Sequence, residues 1–146
     1  METYRPAFTD RERPWLSYGI PFDHAANRHV SDTLHASRVY IIASGSLSRN
    51  TDKLDKLKSA LKDRVAGLRI GMNSHAYFSE ILEIIADVKR VQADVLLTIG
   101  GGTLTDAAKI VSLVCIPRRW TMEQGNLLTA FPMDRRLPTE YPPRMS

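Results

Sequence analysis

Gly100, Gly101 and Gly102 stand between an apolar run, Val95-Leu-Leu-Thr-Ile99, and a helix-like segment that starts at Thr103. Their chemistry is anion binding. Successive glycines remove every Cβ from the turn, so the backbone can bend sharply and approach a ligand closely. The helix that follows offers unpaired N–H groups and the positive end of its dipole, which together suit a phosphate. Thr103 can cap that helix and add a hydroxyl donor. Asp106, in the first turn, completes a capping-box-like pattern with Thr103. Its carboxylate either offsets the helix dipole or meets the ligand. Lys109 either reaches toward the phosphate or lies on the solvated helix face. A strand, a glycine turn and a helix make a diphosphate cradle.

The elements that must position this turn follow from hydrophobic patterning. The run Val95 to Ile99 is too short for a helix and reads as a buried strand. A second β-branched and aromatic run, Arg38-Val-Tyr-Ile-Ile-Ala43, predicts another strand, ending in a polar loop, Ser44-Gly45-Ser46. Between the two, Leu54, Leu57, Leu61 and Val65 form one helical face capped by Asn50 or Thr51 and stopped by Gly67. Leu68 to Met72 is a short strand. Ile81, Leu82, Ile84, Ile85 and Val88 then predict a helix capped by Ser74 and ending near Gln92. Before the first strand, Pro21 opens an amphipathic helix that runs to about Ala36.

Strands alternating with helices predict an α/β fold, a Rossmann-like parallel sheet with helices on both faces. In such sheets ligands bind beyond the carboxyl ends of the strands, where both polar loops lie. Residues 1–20 form an N-terminal extension in which Trp15, Leu16, Tyr18 and Ile20 add an edge strand or pack on the core. Residues 21–116 form the α/β domain. Residues 117–146, which hold five of the eight prolines, predict a poorly structured tail rather than a second domain.

The 146 residues, 43% apolar and 25% charged, suit one soluble globular domain. No apolar stretch approaches a membrane span. The N-terminus lacks the basic-then-apolar pattern of a secretory signal, so a cytoplasmic protein is expected. Cys115, the single cysteine, excludes an internal disulfide and reads as buried and inert. Despite a net charge of +4, the arginines are scattered and not interleaved with aromatics, which argues against nucleic-acid binding.

The glycine turn is neither the Gly-x-Gly-x-x-Gly fingerprint nor a P-loop. The run Gly100-Gly101-Gly102-Thr103-Leu104-Thr105-Asp106-Ala107-Ala108-Lys109 instead resembles the cofactor loop of the iron-containing alcohol dehydrogenase family, within the larger dehydroquinate-synthase-like group. The likeness covers roughly residues 20 to 115, and the strand Val39 to Ala43 with its loop looks like the family's first nucleotide-binding strand. It implies NAD or NADP held by Ser44, Gly45, Ser46, Gly100, Gly101, Gly102, Thr103 and Asp106, with the pyrophosphate on Gly100 to Thr103. The family often carries an acidic residue just after the first strand. This chain has Ser44 there, which permits the 2′-phosphate of NADP.

The resemblance also implies a divalent metal, iron or zinc, held by an Asp and several His in a helical C-terminal domain. Neither that domain nor the family's second glycine-rich segment has a counterpart here. His24, His29, His35 and His75 read as structural or solvated, with His29 on the apolar side of its helix. No metal ligand and no catalytic residue is assigned. The leading expectation is thus the nucleotide-binding part of an oxidoreductase, truncated and inactive alone. The alternative is a non-catalytic dinucleotide-binding or interaction module, and a homodimer or pairing with a full-length relative is expected of either. A kinase of the Gly-Gly-Asp-Gly type ranks last, because Gly102 stands where its Asp belongs.

Overall fold

A computed structural model describes residues 1–73 and 78–115, and the backbone of residues 122–124 and 128–132. Seven strands form one sheet: β1 (Thr3–Pro6), β2 (Trp15–Tyr18), β3 (Val39–Ala43), β4 (Val65–Ile70), β5 (Val95–Ile99), β6 (Met122–Gln124) and β7 (Leu128–Pro132). Their order is β1-β2-β6-β7-β5-β3-β4. Five α-helices accompany them: α1 (Phe22–Arg28), α2 (Gly45–Asn50), α3 (Lys53–Leu61), α4 (Phe78–Arg90) and α5 (Gly102–Cys115).

The predicted parallel unit is present. β3 lies between β4 and β5 and pairs in parallel with both, Ala43 aligning with Ile70 and with Ile99. Every residue of β3 and β5 is buried. Period-two alternation divides them between two cores. Val39, Ile41, Ala43, Val95, Leu97 and Ile99 pack under Ala26, Val30, Leu54, Leu57 and Leu61 of the α1–α3 side. Tyr40, Ile42 and Leu96 pack under Ile81, Ile84, Val88, Ala107 and Val111 of α4 and α5. Helices therefore cover both faces, and the apolar runs are continuous because neither face meets water.

The sheet is mixed rather than wholly parallel. β7 adds antiparallel to β5, with Ile99 opposite Leu128, and β6 adds antiparallel to β7. Both strands fall within the 117–146 segment expected to be irregular. Proline scarcity between Met122 and Phe131 lets the backbone there pair, a feature the overall proline count hides. The N-terminal extension supplies the antiparallel β1–β2 hairpin, joined to the sheet where Trp15 pairs with Met122.

Helix ends differ from expectation in three places. Ser44-Gly45-Ser46 is not a loop but the cap and first residues of α2, and α3 follows after a break at Thr51 and Asp52. The helix expected to run on to Gly67 ends at Leu61, followed by a 3₁₀ turn over Lys62–Arg64. The helix from Pro21 becomes a π turn at His29–Thr33. Ser74, the expected cap of α4, lies outside the described residues. Cys115 is only half-buried, and that burial pushes its thiol pKa up, keeping it protonated.

Gly67 lies inside β4, opposite Tyr40. A Cβ there would meet the Tyr40 ring at 2.5 and 2.7 Å. The ring is buried over the glycine, and its hydroxyl donates to Asp87 at 2.8 Å. Burial, with the Asp87 carboxylate beside it, raises the Tyr40 pKa, so the phenol stays a donor. Gly67→Ala must displace this ring, and a cost of about 1–3 kcal/mol is expected in urea unfolding.

The N-terminal hairpin is fastened by one carboxylate. Glu2 accepts from Ser17 and Arg28 and is 2.6 Å from His29 Nε2, while His29 Nδ1 lies 2.9 Å from Thr33 Oγ1. Tyr4 stacks between Trp15 and His29, at 4.8 and 4.6 Å. Burial alone would raise the Glu2 pKa. The hydrogen bonds from Ser17 and His29 and the Arg28 charge outweigh it, holding the carboxyl below its ordinary 4.5. A depressed carboxyl stabilises the fold above 4.5, and that contribution is lost as pH falls through the folded value. Urea midpoints should therefore drop below pH 4.5, and Glu2→Gln should flatten that drop while costing about 1–3 kcal/mol at pH 7.

Candidate functional site

All three parallel strands end at glycine-bearing turns on one edge. β3 leads into Ser44 and Gly45, β4 into Gly71, and β5 into Gly100. Backbone hydrogen bonds lock the three ends together: Ser44 N donates to Ile99 O at 2.9 Å, and Gly71 N donates to Ala43 O at 2.8 Å. The two loops singled out in the sequence are thus in direct contact. Gly71 was not foreseen, although a glycine closing a strand was its available signal.

The three glycines of the turn have different roles. Gly100 has φ +145°, and a Cβ on it would lie 2.7 Å from both Ser44 Cβ and Leu104 Cδ1. It is glycine so that β3 and β5 can close against each other and Leu104 can pack beneath. Gly101 and Gly102 have open space where a Cβ would be, with no atom of the other described residues within 4 Å beyond their chain neighbours and the helix's own backbone. Among the described residues no packing contact requires their bareness, which leaves the backbone there open to close approach. The helix starts at Gly102, one residue earlier than expected, and spans 14 residues. The first N–H groups of a helix have no partner within it, and they lie at the positive end of its dipole.

Thr103 is exposed in the first turn of α5 rather than at its cap. Asp106 lies further along, 74% exposed and 3.8 Å from Lys109 Nζ. Such an exposed pair adds little stability. The structure therefore brings together Ser44, Gly45 and Gly100, keeps Gly101, Gly102 and Thr103 adjoining them, and sets Asp106 apart with Lys109 on the helix surface.

Ser44 is the hub of the second loop. Its carbonyl accepts from Ser48 N at 3.0 Å and Ser48 Oγ at 2.7 Å. Its hydroxyl accepts a long bond of 3.4 Å from Leu47 N, capping α2, and lies 3.0 Å from Ser46 Oγ. Beyond it, Glu80 holds the loop after β4 by accepting from Arg69 at 3.2 Å and from the Asn73 side-chain amide at 3.3 Å. Glu83 takes a second Arg69 bond at 2.9 Å. These carboxylates keep the Arg69 guanidinium more firmly charged.

Among the described residues no three His, Cys, Asp or Glu side chains converge as metal ligands. His29 is engaged with Glu2 and Thr33, and His24 and His35 are exposed. His75 lies outside the described residues. Among those residues, too, no helix is long and apolar enough to cross a membrane.

The differing roles of the glycines make a direct contrast. Gly100→Ala should destabilise the protein by about 1–3 kcal/mol through strain and the clash with Ser44. Gly101→Ala should change stability by no more than about 0.5 kcal/mol, since its Cβ enters open space. Urea unfolding of the two variants measures both.

A family model of the iron-containing alcohol dehydrogenases matches residues 20–138, past Cys115 and through β6 and β7. The dehydrogenase FUM7 of Gibberella moniliformis is 35% identical over 126 residues, covering 86% of this chain and 29% of that protein. The dehydrogenase ALT3 of Alternaria alternata is 36% identical over 77 residues, 52% of this chain and 20% of that one. This chain thus spans less than a third of the curated relatives it matches. Two solved structures share the fold. Maleylacetate reductase from Agrobacterium tumefaciens superposes with TM-score 0.60 at 14% identity, over 80% of this chain and 37% of that one. The iron-containing alcohol dehydrogenase from Thermococcus thioreducens superposes with TM-score 0.51 at 16% identity, over 75% and 40%. With the family model spanning most of the sequence, the chain belongs to the iron-containing alcohol dehydrogenase family.

Proposed function

We propose that this chain is the nucleotide-binding part of an NAD(P)-dependent oxidoreductase of the alcohol dehydrogenase type. The open space over Gly101 and Gly102, at the N-terminus of α5, carries the reading. A pyrophosphate seated there accepts backbone N–H bonds from the turn and from the first residues of the helix. Thr103 adds a hydroxyl from that helix turn. The ribose next to the pyrophosphate extends over Ser44 to Ser46, which Gly100 brings alongside.

Bound there, the dinucleotide supplies a nicotinamide able to give or take a hydride. The chain's own residues hold and orient it. Among the described residues no set of side chains is placed to hold the family's divalent metal. A second reading is a module that binds a dinucleotide without turning over a substrate. Association with a second copy or a longer relative belongs to both readings, supported by the exposed Ile110, Leu113 and Val114 of α5.

Gly101→Val separates binding from folding. It should leave the unfolding midpoint near that of the parent protein and weaken NADPH and NADH binding at least about 100-fold, because a side chain fills the phosphate position. Fluorescence titration measures this. Undiminished binding in the variant would place the phosphate elsewhere, and no binding by the parent would remove both readings.

A further inference from the structure

The two helices that cover the Tyr40 side of the sheet leave apolar surface between them. α4 and α5 pack against each other on that face. Both run back from the edge that carries the glycine turns, so they lie side by side in the same direction. On α4, Glu80 and Glu83 each precede a buried isoleucine and reach Arg69 of β4, at 3.2 and 2.9 Å. That flank therefore faces the β4 edge. Leu82 and Ala86 each follow a buried isoleucine and face the other way, toward α5. Phe78, four residues before Leu82, continues their stripe. In two helices running the same way, the flank of α5 that meets this stripe is the one preceding its inward positions. Ile110 and Val114, just before Val111 and Cys115, occupy it.

The strip is open to solvent. Phe78 is 72% exposed and Leu113 80%, and Leu82, Ile110 and Val114 are each about half exposed. From Ile110 to Cys115 only Ser112 is polar, so the second half of α5 presents apolar side chains outward as well as inward. A helix that is apolar on both faces is one covered on both faces. The five side chains leave on the order of 500 Å² of apolar surface in water, the size at which a patch marks an association site. Two such faces supply about 1,000 Å², where specific interfaces between proteins begin, before any rim residue is added.

We propose that the α4–α5 strip is the face on which a second copy of this chain docks about a two-fold axis. The occupant follows from the shape of the strip itself. Leu113 stands out as a ridge, and beside it runs the groove between the helices, walled by Phe78 and Leu82 on one side and Ile110 and Val114 on the other. Each copy thus carries both the ridge and the groove that receives it, the condition for a contact that uses the same patch twice. An amphipathic helix face lying in an apolar groove is the form such a contact takes. The rim mixes signs, with Glu83 and Lys89 on α4 and Asp106 and Lys109 on α5, so two copies meet without a field of one sign between them. The dimer gives a definite face to the association named above and does not rest on dinucleotide binding.

Sedimentation velocity of the intact chain, Leu113→Glu and Leu82→Lys, each alone and the two variants mixed, tests this. Both positions are exposed, and a thermal melt of each variant checks that the fold is kept. The intact chain should sediment as a dimer at micromolar concentration. Each substitution should weaken the dimer at least about 30-fold, as for a side chain at the centre of an interface, and leave a monomer. Mixing the two variants should restore a dimer, because the new carboxylate meets the new ammonium in one half of the interface and the other half keeps both leucines. A monomeric intact chain, its strip left for a longer relative or another protein, would overturn the proposal. So would a dimer that survives both substitutions. A mixture that stays monomeric would overturn the seating of Leu113 in the partner groove. None of these results bears on the dinucleotide reading, which the fluorescence titrations decide.

Discussion

The approach of Gly100 to Ser44 is the constraint on which the rest of the site depends. A single added Cβ would lie 2.7 Å from both Ser44 Cβ and Leu104 Cδ1. Without it, Ser44 N reaches Ile99 O, and the ends of β3 and β5 close into one edge. Leu104 is drawn under the turn at the same time, which fixes where α5 begins. The start of α5 and the nearness of the Ser44 loop both follow from that one contact. The buried strands beneath make the contact rigid, because side chains on both faces of β3 and β5 leave no room for sliding.

Much of this was legible in the sequence because its causes are local. Runs such as Val39 to Ala43 and Val95 to Ile99 are short, apolar and bounded by glycine and serine, so they read as doubly buried strands. The glycine turn declared itself by the absence of side chains, and the residues around it carried the family likeness. Where tertiary contacts override local signals, the reading diverged. Gly67 looked like a helix stop but is a strand residue under the Tyr40 ring, a relation that depends on cross-strand register. Ser44 to Ser48 looked like a loop because α2 buries none of its residues and has no apolar face to betray it. β6 and β7 were hidden because segments of three and five residues carry little period, and they become strands through pairing with β5 and with each other.

The site itself was legible in part for the same reason. Gly100 to Gly102 and Ser44 to Ser46 were singled out from residue type and spacing, and the structure brings Ser44 against Gly100. Thr103 and Asp106 were read as a reciprocal cap, yet α5 opens at Gly102, and Asp106 pairs with Lys109 instead. A shift of one residue at a helix start is enough to undo a capping pattern. Gly71 was missed, because it gains meaning only when β4 is placed beside β3.

The two parts of the crevice differ in how they are held, and this bears on what can vary. The glycine turn is tied to the core through Leu104 and Ser44, so changes at Gly100 disturb folding as well as binding. α2 is tied by the hydrogen bonds of Ser44 and by Leu47, which packs against the core, while its exposed residues contribute little to stability. Ser46 and Arg49, both exposed, can therefore change without a matching change in core packing. The place of the glycine turn is thus set by the buried strands, whereas the Ser44 side of the crevice is set by a short helix at the surface.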